Sequence, residues 1–193
     1  MKLTKCRRSD KALFNLYSDI KKADAYEFPD KINSMNICYF NSTRKALNTY
    51  WMKKMSKGLK TMLLRRDKVV KQSQDMLIFD GLPVIAATTR SKYNFANCDE
   101  FDVIGFNDKL IRLRSIVDEE IKIDVPAAEF TQLMQPRYAI TAHRCQGSSL
   151  DVPHSIWDYS KMDEKLKYVA LSRSRLLSLI SVCSDDQLDK LKM

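Results

Sequence analysis

YAITAHRCQGSSLD, residues Tyr138 to Asp151, opens as an apolar run (Tyr138, Ala139, Ile140) and ends among Thr141, His143, Arg144 and Gln146. A buried strand that stops in small polar groups sets side chains and amides at the carboxyl edge of a sheet, where α/β folds take their ligands. Gly147 then allows a turn that other residues resist. Ser148, Ser149 and Asp151 add hydroxyls and a carboxylate. Further on, YVALSRSR (Tyr168 to Arg175) puts Arg173 and Arg175 just after an apolar segment. Guanidinium groups fixed on a rigid element are well suited to phosphate.

The rest of the chain can be placed around these stretches. MNICYF (Met35 to Phe40) is an apolar run of strand length, and Asn41-Ser42-Thr43 after it is a cap signal for a helix from about Thr43 to Ser56. HSIWD (His154 to Asp158) and Leu176 to Cys183 read as further buried strands. Leu13, Phe14, Leu16, Tyr17 and Ile20 recur at helical spacing behind Ser9 or Asp10, as do Met162, Leu166, Val169 and Ala170. Strands near Ile37, Ala139, Ile156 and Ile180 alternating with helices predict a parallel α/β sheet flanked by helices.

Between Asp75 and about Val125 the composition shifts to short strands: Met76 to Phe79, Leu82 to Thr88, Phe101 to Phe106, Leu110 to Leu113 and Ile121 to Val125. Turn signals at Asp80-Gly81, Asn97-Cys98-Asp99 and Asn107-Asp108 separate them, the pattern of a small β-barrel or meander. Glu129 to Met134 reads as a short return helix, ended by Pro136. DMLIFD (Asp75 to Asp80) imitates a strand ending in a magnesium-binding acid. No G-x-x-x-x-G-K-[ST] occurs in the chain, so it is read as an ordinary strand.

The chain has 33 Lys and Arg against 24 Asp and Glu, a net charge of +9, which favours a polyanionic partner. Lys53 to Lys71 is the densest basic stretch, either a nucleic-acid track or a solvated face. The five cysteines form no C-x-x-C pair, and with two histidines zinc is disfavoured; free thiols point to a reducing, intracellular setting. Cys145 has no partner base and Cys38 and Cys183 read as buried small hydrophobes. No apolar run approaches the roughly 20 residues of a membrane span, so no membrane partner is expected.

TAHRCQGSSLD resembles motif V, and YVALSRSR motif VI, of superfamily 1 helicases, most closely the RecD-like branch. LTKCRRSD near the start resembles motif IV, and GLPVIA followed by NCDEFDVI is similar to the β-barrel that such helicases insert between motifs IV and V. Cys98 stands where that family usually has glycine, leaving Asn97 to take a positive φ. The resemblance implies a second RecA-like domain at 1–74 and 135–193, with an inserted β-barrel at 75–134. It implies single-stranded DNA contacts at Asn41, Ser42, Thr43, Thr141 and His143, and nucleotide contacts at Gln146 and Gly147. No glutamate stands at Ser149 to touch a ribose. Arg173 and Arg8 are implied to reach the γ-phosphate, with Arg175 structural.

The function so implied is the C-terminal motor half of an ATP-dependent DNA helicase. ATP and Mg2+ would be held mainly by an N-terminal RecA-like domain of the same polypeptide, and the 193 residues alone would be inactive. Met1, so close to the motif IV-like run, points to a shortened chain. Phosphate and stacking contacts would serve RNA as well as DNA. The alternatives are a nucleic-acid-binding module without a motor, or a protein-interaction domain docking through the β insertion.

Overall fold

The runs around Ile37, Ala139, Ile156 and Ile180 become four parallel strands, in the order Ile180–Val182, His154–Ile156, Met35–Cys38, Ala139–Thr141. They belong to a computed structural model that describes residues 9–192. Ile37 lies opposite Ile156 on one side and Ile140 on the other. Every residue of Met35–Cys38 is buried, as a strand covered on both faces must be. Alternate residues serve opposite faces. Ile37 and Ile156 pack with Leu13, Tyr17, Met162, Ala170 and Leu171, whereas Cys38 and Trp157 pack with Leu47, Cys183 and Leu188. Helices Lys11–Tyr17 and Glu164–Leu171 therefore cover one face, and Asn41–Met55 and Asp185–Lys192 the other. The α/β reading of the sequence holds.

Local chemistry sets these element ends. Asp10 Oδ1 accepts from the Leu13 amide at 2.7 Å and starts the first helix, as Asp163 does for Glu164–Leu171 through Leu166 at 2.8 Å. Trp157 donates its indole N–H to Asn36 Oδ1 at 2.8 Å, so each buried polar group satisfies the other. The expected strands are shorter than read: the Leu176 to Cys183 run begins with a 3₁₀ turn at Leu177–Leu179 before Ile180–Val182.

The chain divides into two compact units, 1–47 with 139–193, and 48–138, the first boundary falling within the Asn41–Met55 helix. The second unit is built on an antiparallel five-stranded sheet, ordered Lys122–Pro126, Leu110–Ser115, Glu100–Phe106, Pro83–Ala86, Met134–Pro136. Its register shifts between Val103 and Gly105, where an irregularity of this kind bends a strand. The Ala127–Leu133 helix contributes Phe130 and Leu133 to the buried set.

Two expectations need correcting in this unit. Met76–Ile78 does not join the five-stranded sheet; it pairs with Met62–Leu64, a strand hidden inside the basic run. Asp75 at its start takes Arg65 Nη1 at 2.9 Å and the Arg66 amide at 2.8 Å, and both hydrogen bonds hold its carboxyl below the usual range. The positive φ falls on Cys98 (φ +73) instead of Asn97. A side chain in that region costs on the order of 1 kcal/mol, which is the physical case for glycine at this turn.

His154 is wholly buried, with Nδ1 3.0 Å from the Val152 carbonyl. Burial pushes its imidazole below the usual 6.5, against a weaker upward pull from that carbonyl. The unfolded chain gains this proton at higher pH than the folded chain does. Stability is therefore full above the unfolded value and falls as pH drops below it. The loss from this one proton is at most about 1.4 kcal/mol per pH unit between the two values. Urea unfolding from about pH 7.5 to 5.5 should show that slope, and His154→Leu should flatten it; an unchanged slope would reject the assignment.

Candidate functional site

Three segments far apart in sequence meet around Arg173. The Leu150 amide donates to the Arg173 carbonyl at 2.8 Å, and Leu150 pairs with Ser174 in a parallel bridge. The Arg173 side chain is only 7% exposed. Its Nη1 donates to the Ser148 carbonyl at 3.1 Å, its Nε to the Val169 carbonyl at 3.1 Å and its Nη2 to Ser172 Oγ at 3.0 Å. Arg173 thus ties the YVALSRSR segment to the loop after Gly147. It also satisfies a late carbonyl of the Glu164–Leu171 helix, where a positive charge offsets the helix dipole.

The start of the chain joins them. Ser9 Oγ donates to the Ser174 carbonyl at 3.1 Å, the Asp10 amide donates to Arg175 at 2.8 Å, and Asp10 Oδ2 accepts from Leu177 at 2.9 Å. Arg8 lies outside the described residues. Arg175 pairs with Asp151 at 3.0 Å, both largely exposed, a contact worth well under about 1 kcal/mol. Cys145 is buried beneath this junction. Burial pushes its thiol up to about 11 despite the opposing charge of Arg173, which leaves it no thiolate for nucleophilic work.

A second cluster lies at the carboxyl ends of the two central strands. Connections leave Met35–Cys38 and His154–Ile156 in opposite directions across the sheet, which places the ligand crevice of such folds there. Asp158, 6% exposed and at φ +58, sits at that point. Its Oδ2 accepts from the Tyr39 and Phe40 amides at 3.1 and 3.0 Å, and its Oδ1 from Thr43 Oγ at 3.0 Å. The helix begins at Asn41, within the expected Asn41-Ser42-Thr43 cap, and the Asp158 carboxylate holds the two amides just ahead of it together with the Thr43 hydroxyl.

Of the residues read as strand contacts, Asn41, Ser42 and His143 are exposed and Thr141 is half-buried. Thr43 is buried, its hydroxyl given to Asp158. Asn41 Oδ1 accepts from Arg44 Nε at 3.1 Å, which leaves its amide nitrogen as the donor end. Arg44 is 2% exposed; burial pulls its guanidinium down to about 10, Cys38 opposes that, and the Arg144 charge adds to it. The His143 ring stacks on Tyr39 at 6.1 Å and 29°, and Tyr39 meets Phe40 at 4.7 Å. Gln146 and Gly147 are exposed, Gly147 at φ +97. Sequence reading missed Tyr39, Phe40 and Asp158. The aromatic pair closing MNICYF was a signal for the first two; nothing local marks Asp158.

Among the described residues no group of three or more His, Cys, Asp or Glu could hold a metal ion. No G-x-x-x-x-G-K-[ST] occurs in the sequence.

No family model matches the chain, and no curated protein matches it. Solved structures do. Pif1 helicase from Bacteroides with ADP-AlF3 and ssDNA superposes at a TM-score of 0.72 and 19% identity, over 95% of this chain and 52% of that one. The structure of two coordinating Pif1 helicases unwinding forked dsDNA gives 0.71 and 19%, over 93% and 48%. Pif1 helicase from Candida albicans gives 0.68 and 11%, over 94% and 56%. The chain spans about half the length of these proteins. At such identities the likeness is one of fold: a parallel sheet flanked by helices, as in the RecA-like domains of helicases.

Proposed function

We propose that the chain is the C-terminal, RecA-like half of an ATP-dependent superfamily 1 DNA helicase of the RecD-like branch. The observation that carries this reading is the meeting of Ser9–Asp10, Ser148–Asp151 and Arg173–Leu177, the segments that resemble motifs IV, V and VI. In this reading Arg173 and Arg8 serve ATP held mainly, with its Mg2+, by an N-terminal P-loop domain. Asn41, Ser42, Thr141 and His143 meet single-stranded DNA, and the β-rich 75–134 segment is a barrel-like insertion. Gln146 and Gly147 face the nucleotide side.

The inward guanidinium of Arg173 favours a second reading, a strand-binding module that keeps the shape without the motor. One pair of assays bears on both. The 193-residue chain should bind a thymidine oligomer with an affinity that falls steeply with salt, because each neutralised phosphate releases counterions. The same preparation should release no phosphate from ATP above background. Absence of strand binding would overturn both readings, and steady release abolished by Arg173→Ala would overturn the need for a second domain.

A further inference from the structure

We infer that Phe40, backed by Tyr39 and His143, is a stacking step for an unpaired nucleobase, and that Asp158 is the residue that positions it. This rests on the strand-binding reading above. Phe40 is 44% exposed at the carboxyl edge of the sheet, and its ring lies against that of Tyr39. Its amide and that of Tyr39 are both fixed by Asp158 Oδ2, so the backbone beneath the two rings is locked by a buried carboxylate. The Tyr39 ring sits 4.7 Å from that of Phe40 and 6.1 Å from the His143 ring stacked with it. Three neighbouring rings thus form an aromatic ledge, and two of them, Phe40 and His143, belong to exposed residues.

What surrounds the ledge points to a base. Next in the chain are Asn41, whose amide nitrogen is presented as a donor by the Arg44 bond to its oxygen, and the exposed hydroxyl residue Ser42. Arg44 and Arg144 lie close enough for their charges to oppose each other, so two guanidinium groups stand near the buried Asp158 carboxylate. An exposed aromatic face beside hydrogen-bond donors and nearby guanidinium groups is the chemistry that binds single-stranded nucleic acid: π-faces stack on rings, and cations and amides meet the backbone. A protein-docking face would instead be expected to extend as a contiguous apolar patch.

The test uses the whole chain, with fluorescence anisotropy on a thymidine oligomer and on an abasic oligomer of equal length. Phe40→Ala and Phe40→Leu should weaken thymidine binding about tenfold while leaving the abasic oligomer unchanged, and Phe40→Trp should restore it. An oligomer carrying 2-aminopurine should be quenched by wild type and not by Phe40→Ala. Urea midpoints of the Phe40 variants equal to wild type would exclude a folding artefact; if they fall, the oligomer comparison on wild type alone decides. Equal wild-type affinity for thymidine and abasic oligomers, or thymidine binding untouched by Phe40→Ala, would overturn the stacking step while strand binding stood; the ring would then cover a protein face. No strand binding by wild type would overturn the underlying reading and the step with it.

Discussion

Asp158→Ala is expected to lower the unfolding free energy of the chain by about 3 kcal/mol. Its carboxylate accepts from two backbone amides and one hydroxyl. Hydrogen bonds to a charged acceptor are worth about 1.5–3 kcal/mol each, and leaving buried donors without a partner adds a desolvation cost. The contributions overlap, because all three donors lie within one helix start, so the sum is far below three independent terms. Alanine also tolerates the positive φ at this position less well than aspartate does. Asp158→Asn keeps one acceptor oxygen and the backbone preference, so about half the loss is expected. Urea unfolding of the three proteins measures this, and a change below about 0.5 kcal/mol for alanine would show that the carboxylate does not organise the helix start.

On the proposed helicase reading, Arg173→Ala is expected to lower ATP hydrolysis by a protein carrying both RecA-like halves about 10³-fold, the size of effect that an arginine meeting a transferring phosphoryl group supplies. The same side chain holds the Ser148 and Val169 carbonyls, so the alanine variant should also lose about 2 kcal/mol of stability. Arg173→Lys separates the two effects. Lysine keeps a charge near the helix end but loses the planar fork. Hydrolysis lost in both variants, with the lysine variant near wild type in its urea midpoint, supports a role at the phosphate. Hydrolysis kept in both, with stability falling, assigns Arg173 to structure and favours the module without a motor.

The sheet was legible because its strands are buried on both faces and so read as apolar runs; Ile37, Ile140, Ile156 and Ile180 mark all four. The junction of the two quoted stretches was legible only as a resemblance, since the Leu150–Ser174 bridge joins residues that no local pattern links. Met62–Leu64 escaped because three residues between lysines and arginines carry no period of their own. Asp158 escaped for a different reason: its three partners lie over a hundred positions away in sequence, and a capping carboxylate is looked for within a few residues of the helix it caps. Arg173 was singled out by its segment, yet the direction of its guanidinium depends on the carbonyls of Ser148 and Val169, which only the folded chain brings together.

The reading frame upstream of Met1 in the source gene is the most direct test of the claim that the chain is half of a motor. Expected is a G-x-x-x-x-G-K-[ST] followed by a strand ending in an acid, within about 300 residues. A stop codon or an unrelated domain there would contradict it, and the roles given to Arg173 and Arg8 at a phosphate would fall with the motor.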